Sequence, residues 1–201
     1  MKAIILAAGY GNRMKPLTDS THKTLLSLGK ETIIERMMES LLKNNINDII
    51  IVTGYRAEEL KNFLLKKFSY VNFQFVHNRR FKETNNIYSL ALVFQSIVVD
   101  DYILLIESDL VYEPAVIQRI INSKYKNVAL VDKFKGGMDG TVVTLDSNII
   151  TNIIPSYLQD RNFDFSDKFK TLNIYKFSKD FCNSVFKKLL TYYAKVFDDN
   201  C

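Results

Sequence analysis

The sequence predicts an α/β protein: a mostly parallel sheet with helices on both faces. Three observations carry this expectation. The runs Ile4-Ile5-Leu6, Ile49-Ile50-Ile51-Val52 and Ile103-Leu104-Leu105-Ile106 are continuously apolar rather than alternating, as strands covered on both faces must be. Between them lie segments of helical periodicity, and an alternating strand-helix order gives a parallel sheet with right-handed crossovers. A small-residue loop follows the first run directly, at the carboxyl end of a strand, where ligands of such sheets bind.

The elements follow in order. After the strand Ile4 to Leu6 comes Ala7-Ala8-Gly9-Tyr10-Gly11, and then Thr32 to Lys43, with Ile33, Ile34, Met37, Met38, Leu41 and Leu42 spaced along one helix face. A strand is expected at Asp48 to Thr53, a helix at Ala57 to Phe68, a strand at Val71 to Val76 and a helix at Asn86 to Ser96. Asp101 to Ile106 reads as a strand, Glu113 to Asn122 as a helix and Asn127 to Val131 as a further strand. This order is Rossmann-like. Beyond residue 132 the pattern changes to a hairpin, Thr141 to Leu145 and Asn148 to Ile154 around Asp146-Ser147, a strand at Lys170 to Phe177 and a closing helix at Lys179 to Phe197. With no Pro- or Gly-rich linker, a single domain over 1–201 is expected. Its first half, 1–132, would hold the ligand, and the second, 133–201, with a small β-rich insertion, would supply the acceptor side of the site.

Composition narrows the function classes. The chain has 201 residues, 47% hydrophobic and 24% charged, enough for a substantial core. No apolar run is long enough to cross a bilayer, and Met1-Lys2 leads straight into strand residues without a cleavable signal, so a cytoplasmic protein is expected. Cys182 and Cys201 are too few and too far apart for a disulfide framework or a zinc site. The net charge of +5 is scattered: Lys66-Lys67 and Lys187-Lys188 lie in amphipathic segments as solvated helix faces. Arg79-Arg80 sits beside Asn78 in a loop at the strand ends, but no nucleic-acid fold signature accompanies it, and no nucleic-acid partner is expected.

The most informative stretch is residues 4 to 29. Across Ala7 to Gly11 almost no side chain shields the backbone, so N–H groups can approach an anion, and Arg13, Lys15 and Lys23 follow with fixed positive charge. That order suits a nucleoside triphosphate. Two look-alikes fail. The only Gly-Lys is Gly29-Lys30, followed by Glu31 and preceded by Thr24 where a Walker loop needs glycine. A dinucleotide fingerprint needs a third glycine where Met14 stands and an acidic residue where the second strand ends in Thr53-Gly54.

Three further segments carry candidate chemistry. Leu104-Leu105-Ile106-Glu107-Ser108-Asp109-Leu110 runs from an apolar strand into carboxylates. Beside a polyphosphate these would repel unless a cation intervened, which implies magnesium; a strand exiting into a polar turn is the plain alternative. In Asn78 to Leu90, Thr84 or Asn85 makes a helix N-cap, and exposed polar groups at that helix start suit base and ribose recognition. Lys133-Phe134-Lys135-Gly136-Gly137-Met138-Asp139-Gly140-Thr141 is a basic, glycine-rich turn that either receives a second phosphorylated substrate or simply leads into the hairpin.

The stretch Leu6-Ala7-Ala8-Gly9-Tyr10-Gly11-Asn12-Arg13-Met14-Lys15-Pro16-Leu17-Thr18, with Lys23 heading Lys-Thr-Leu-Leu, resembles the signature of the sugar-nucleotide type of nucleotidyltransferase. Thr24 replaces the usual proline. Asn85-Asn86-x-Tyr88-Ser89-Leu90 is similar to the phosphocholine cytidylyltransferase branch. Met138 to Val143 and Lys170 to Ser178 look like segments of cytidylyltransferases acting on phosphonates or phosphorylated amino compounds, above all the phosphoglutamine cytidylyltransferases of capsule phosphoramidate biosynthesis. The resemblance runs from Met1 to about Ser178.

The resemblance implies a nucleotide site made by Leu6, Ala7, Ala8, Gly9, Tyr10, Gly11, Asn12, Arg13 and Lys23. Thr53, Gly54 and Tyr55 would flank the base, with Asn86 and Ser89 as nucleoside contacts; capping alone, or capping plus ligand contact, fits Asn85. Arg13, Lys23 and Asp109 are the candidate catalytic residues. Asp109 would bind magnesium and Glu107 support it, while Lys133, Lys135, Asp139 and Thr141 are the candidate acceptor contacts. The implied reaction moves CMP from CTP to a phosphorylated small molecule, phosphoglutamine or phosphocholine-like, releasing pyrophosphate. A phosphate monoester is already ionised near neutral pH, so its attack on the α-phosphorus needs no general base. His22 is placed to line the phosphate path and His77 to be structural.

A hexose-1-phosphate nucleotidyltransferase using UTP, dTTP or GTP, or a non-catalytic nucleotide-binding relative, is the alternative reading. Relatives of this kind usually continue to a second metal-binding aspartate, whereas this chain stops at Asp198-Asp199-Asn200-Cys201, so truncation, or substitution by one of these aspartates, is expected. The apolar helices suit either a core or a homodimer interface.

Overall fold

Strand β1 (Lys2–Ala7) leads through 3-10 turns at Asn12–Met14 and Lys23–Leu25 to a short ladder of β2 (Ser27–Leu28) with β3 (Glu31–Thr32), and then to α1 (Ile33–Lys43). There follow β4 (Asp48–Thr53), α2 (Ala57–Lys67), β5 (Asn72–His77), α3 (Asn86–Ser96), β6 (Ile103–Glu107) and α4 (Pro114–Ile121). Then come β7 (Val128–Lys133), β8 (Val142–Asp146), β9 (Ile149–Ile154) and β10 (Phe169–Phe177). A closing helical stretch comprises α5 (Lys179–Phe181), a π-helical turn at Cys182–Phe186 and α6 (Lys187–Asp199). This computed structural model describes residues 1–199. Every expected strand and helix is present.

Two features were not foreseen. The β2–β3 ladder pairs Ser27 with Thr32 and Leu28 with Glu31 around a two-residue Gly29-Lys30 turn, with Gly29 at φ +74°, a conformation glycine adopts freely. Two-residue strands are too short to show a period. The π turn interrupts the closing helix where residues five apart must share a side: Phe181 stacks on Phe177 at 5.4 Å between ring centroids, and Phe186 meets Phe177 edge-on at 5.0 Å.

The chain forms two compact units, Met1–Val128 with the segment from Lys176 onward, and Ala129–Tyr175. The closing helix, however, returns to the first unit, where α6 packs on α3 and buries Leu190 and Ala194.

In the first unit β5, β4, β1 and β6 lie side by side, all parallel. The chain steps outward from β1 to β4 to β5, then returns through α3 to place β6 on the other flank of β1. Strand order therefore reverses at β1, and a crevice at the carboxyl ends of β1 and β6 is where such sheets bind ligands. Ala3 to Ala7, Ile49 to Thr53 and Ile103 to Ile106 are buried, so both faces of these strands are covered. Each fully buried isoleucine contributes roughly 1.5–3 kcal/mol. Helix α1 packs against α4, and its start is fixed by a capping box: Thr32 Oγ1 accepts from the Glu35 N–H at 3.3 Å while Glu35 Oε2 accepts from the Thr32 N–H at 2.7 Å.

In the second unit β8 pairs antiparallel with both β9 and β10, and β7 pairs with β10. A register shift interrupts the β8–β9 pairing between Thr144 and Leu145, and Ser147 turns the hairpin with φ +56°. Phe134 stacks on Phe165 at 4.1 Å, with Phe163 edge-on to Phe165 at 4.8 Å. Among the described residues no helix is long and apolar enough to cross a membrane.

Candidate active site

The register of the parallel sheet aligns the segments singled out in the sequence. Leu6 of β1 faces Glu107 of β6, while Ala7, Thr53 and His77 form a row across β1, β4 and β5. From that row the backbone runs into Ala8-Gly9-Tyr10-Gly11. A Cβ at Gly9 would meet nothing within 4 Å, so the backbone there borders open space. Gly11 differs: its φ is +70°, and a Cβ would lie 2.9 Å from Lys23 Cβ and 3.1 Å from Thr18 Cγ2. Both conformation and space require glycine where the stem of Lys23 crosses the loop. Thr18 Oγ1 closes the loop by donating to the Gly11 carbonyl at 3.1 Å. Asn12 and Arg13 follow, exposed, in the first 3-10 turn.

The loop after β4 is packed onto this one. A Cβ at Gly54 would lie 2.6 Å from the Ala8 carbonyl oxygen and 2.7 Å from Phe81 Cβ, so no larger residue fits without displacing backbone. The close approach lets the Tyr55 N–H donate to the Ala8 oxygen at 3.0 Å. Tyr10, Tyr55 and Phe81 then cluster, their ring centroids 4.8 to 6.5 Å apart.

Lys23 and Asp109 meet. Lys23 Nζ lies 3.4 Å from Asp109 Oδ2, joining the β1 loop to the end of β6. Their side chains are only 11% and 24% exposed, which screens the pair less than a surface ion pair. Beside them Asn86 Nδ2 donates to Glu107 Oε1 at 3.1 Å. Asn85 caps α3, its Oδ1 accepting from the Ile87 and Tyr88 N–H groups at 3.0 and 3.4 Å. Ser89 is buried and its hydroxyl accepts from Asn78 Nδ2 at 3.0 Å, so this serine braces the start of α3 from inside. Asn78 also donates to Thr84 Oγ1, accepts from the Arg80 N–H, and donates its own N–H to the Thr53 carbonyl.

His22 does not line a phosphate path. Its ring is fully buried beneath the loop, with Nε2 3.0 Å from the Ala7 carbonyl oxygen and Nδ1 2.8 Å from Thr24 Oγ1. Nδ1 also accepts from the Thr24 N–H at 3.2 Å, which leaves Nε2 to carry the proton donated to Ala7. Burial pushes the imidazole pKa down to about 4, so the ring is neutral at physiological pH. His77 ends β5, exposed, with its Nδ1 3.2 Å from Thr53 Oγ1.

Asp109 and Glu107 place two carboxylates at the end of β6, and no group of three or more His, Cys, Asp or Glu side chains clusters among the described residues. That donor set fits magnesium, which is commonly held by one or two carboxylates together with substrate phosphates rather than by an all-protein cage. The candidate acceptor residues lie in the second unit. Lys133 ends β7; Lys135 is exposed and pairs with Asp132 at 3.2 Å; Asp139 lies in the turn before β8; the Thr141 carbonyl accepts from Thr171. The side chains of Asp198 and Asp199, and the residues Asn200 and Cys201, lie outside the described residues. Glu59, whose carboxylate reaches Thr21, His22 and Arg56, had no sequence signal, and within the Asn78–Leu90 segment neither the bracing role of Asn78 nor the ring of Phe81 was assigned. Only the fold brings them to the loop.

A parallel sheet whose strand order reverses at β1, a glycine-rich turn there, and a Lys–Asp pair beside it form an α/β protein with a candidate ligand site at the carboxyl ends of its strands. The chain belongs to the nucleotidyl transferase family, whose profile matches residues 2–134. It is 43% identical over 93 residues to the choline-phosphate cytidylyltransferase of Streptococcus pneumoniae, covering 46% of this chain and 39% of that protein. It is 33% identical over 137 residues to the CTP:phosphoglutamine cytidylyltransferase of Campylobacter jejuni, covering 66% of this chain and 53% of that protein. The chain spans about half the length of the curated relatives it matches. A Bacillus anthracis structure assigned as a glucose-1-phosphate thymidylyltransferase superposes with a TM-score of 0.74 at 23% identity, covering 92% of this chain and 75% of that one, and shares the fold.

Proposed function

We propose that this protein transfers CMP from CTP to a phosphorylated small molecule, phosphoglutamine or phosphocholine-like, releasing pyrophosphate. The observation that carries the reading is the 3.4 Å approach of Lys23 to Asp109 at the mouth of the glycine-rich loop, with Asn86 and Glu107 beside it. The cytidylyltransferases named above, from S. pneumoniae and C. jejuni, support the choice of CTP.

Arg13 and the amides of Ala8 to Gly11 would take the β- and γ-phosphates, and Lys23 would hold the α-phosphate against the incoming phosphate. Asn85 and Asn86 would border the nucleoside, with Thr53, Gly54 and Tyr55 on the base side and Lys133, Lys135, Asp139 and Thr141 meeting the acceptor. Asp109, supported by Glu107, would hold magnesium, which supplies positive charge to offset repulsion between two polyanions. The acceptor oxygen is ionised beforehand, so the chain's task is alignment and charge screening, and a neutral His22 buried beneath the loop is consistent with a site that uses no base. We place the activity in the cytoplasm, with capsule-polysaccharide biosynthesis as the setting the sequence resemblance implies.

Pyrophosphate release tests the reading. CTP with magnesium and phosphocholine or phosphoglutamine is expected to give turnover, and CTP to raise the melting temperature more than UTP, dTTP or GTP does. Turnover confined to hexose 1-phosphates with those other triphosphates would replace it with the hexose-1-phosphate reading. Nucleotide binding without release from any pair would make the chain a non-catalytic relative.

A further inference from the structure

The phosphate loop is held at a point the reaction itself does not use. Glu59 stands in the first turn of α2, and its carboxylate faces back toward the segment before Lys23. Oε1 accepts from Thr21 Oγ1 at 2.9 Å and Oε2 from the His22 N–H at 3.2 Å, while Arg56 Nε donates to Oε2 from the residue that opens the helix. Burial pushes this carboxyl up, but Arg56, Thr21 and the His22 N–H outweigh it and hold the group below the usual carboxylate range. On the inner side of the same segment the His22 ring spans from the Ala7 carbonyl to Thr24. Arg56 adopts φ +47°, an unusual value for a residue with a Cβ, at the point where the β4 loop turns into α2. That loop is tied to the phosphate loop twice more, by Tyr55 N–H to Ala8 and by Tyr55 Oη to the Thr18 carbonyl at 3.4 Å.

We propose that Glu59 is a positioning residue for Lys23: it braces Thr21 and His22 from outside while the His22 ring pins them from within, so the β4 loop and the lysine hold one geometry. Lys23 has a long, flexible stem, and its ammonium reaches a fixed point only if its backbone is fixed at both neighbours. The inference rests on Lys23 being the phosphate-contacting cation.

The test is a double-mutant cycle on the full chain, read by pyrophosphate release from CTP, magnesium and phosphocholine. Glu59→Ala is expected to lower kcat by about tenfold to a hundredfold with KM for CTP within about threefold, and Glu59→Gln, which keeps an acceptor oxygen, to fall between it and wild type. On a Lys23→Ala background Glu59→Ala should cost no more than about twofold further, because the brace acts through the lysine. An equal loss on both backgrounds, or an unchanged kcat in a folded Glu59→Ala variant, overturns the proposal. Near-normal turnover of Lys23→Ala alone instead overturns the role given to the lysine. Should the wild-type chain release no pyrophosphate, amide exchange decides: faster exchange across residues 18 to 24 in Glu59→Ala sustains the brace, and unchanged exchange removes it.

Discussion

The two units of the molecule are built to different standards of burial. In the first, β1, β4 and β6 are enclosed along nearly their whole length; in the second, neither β7 nor β9 has a buried residue. The second unit contributes only Val142, Val143 and Ile174 to the deeply buried apolar set. Lys23, Glu107, Asp109 and Asn86 all sit at the ends of elements in the first unit, and the family profile covers residues 2–134, almost all of them in that unit. Under the proposed function the first unit would align charge to a fraction of an ångström, which needs a rigid mount, while recognition of an acceptor's organic portion by the second would tolerate a thinner core.

The largest expected effect tests that contrast directly. Ile51 is fully buried in β4 between Ile5 and Phe75, and Ile51→Ala should cost about 2–5 kcal/mol in urea unfolding. Ile153 of β9 is 62% exposed, and Ile153→Ala should change stability by less than about 0.5 kcal/mol. Similar losses at the two positions would show that the second unit is more firmly cored than its exposure indicates.

The next contrast concerns chemistry rather than packing. Removing a charged group from a preorganised site costs on the order of 3 kcal/mol, so Lys23→Ala should lower turnover about a hundredfold or more without comparable loss of stability. Lys135 is solvated and paired only with an exposed aspartate, and Lys135→Ala should raise the acceptor KM while leaving KM for CTP near wild type. Initial rates with each substrate varied separately would reveal the reverse pattern, if it holds.

What the sequence disclosed follows the same division. Buried parallel strands announce themselves by unbroken apolar runs, so Ile49 to Val52 and Ile103 to Ile106 were legible, and the residues singled out from motif and strand end, Lys23 and Asp109, meet in the structure. Glu59 was not legible, and neither were the parts that Phe81 and Asn78 play within their segment, because these roles come from tertiary packing, with no local period to mark them. His22 was misread for a related reason: its place beside Lys23 suggests the phosphate path, while the direction of its ring is decided by the buried Ala7 carbonyl and Thr24. The Ser89 hydroxyl, turned toward Asn78, teaches the same lesson about a helix start.

His22 gives the first unit a further acid-sensitive group, since the chain's two histidines, His22 and His77, both lie in that unit. Its folded pKa of about 4 lies below the ordinary histidine value of 6.5, so between these values the unfolded chain binds more protons. Stability from this group is therefore complete above about pH 6.5 and lost as pH falls toward 4, on the order of 2 kcal/mol at pH 5. His22→Gln removes the titration, and its unfolding free energy should fall less between pH 7 and pH 5 than that of wild type. An equal fall in both proteins would place the acid sensitivity elsewhere.

The smallest effect concerns how the first unit starts its helices. Thr32 closes a capping box on Glu35, whose other oxygen meets Lys67 Nζ at 2.9 Å, whereas the short 3-10 turn Ser156–Leu158 of the second unit has no side-chain cap. Thr32→Ala removes the hydroxyl partner of the Glu35 N–H but leaves the Lys67 pair, and an N-cap of this kind is worth about 1 kcal/mol. The expected result is a melting temperature lower by a few degrees with turnover unchanged. The Ile33 N–H donates to the Leu26 carbonyl at 3.1 Å, so the cap also sits against the backbone that leads from Lys23. A Thr32→Ala variant that lost turnover along with stability would show that the start of α1 belongs with Glu59 among the supports of that lysine, and that the rigid mount extends one helix further than its hydrogen bonds indicate.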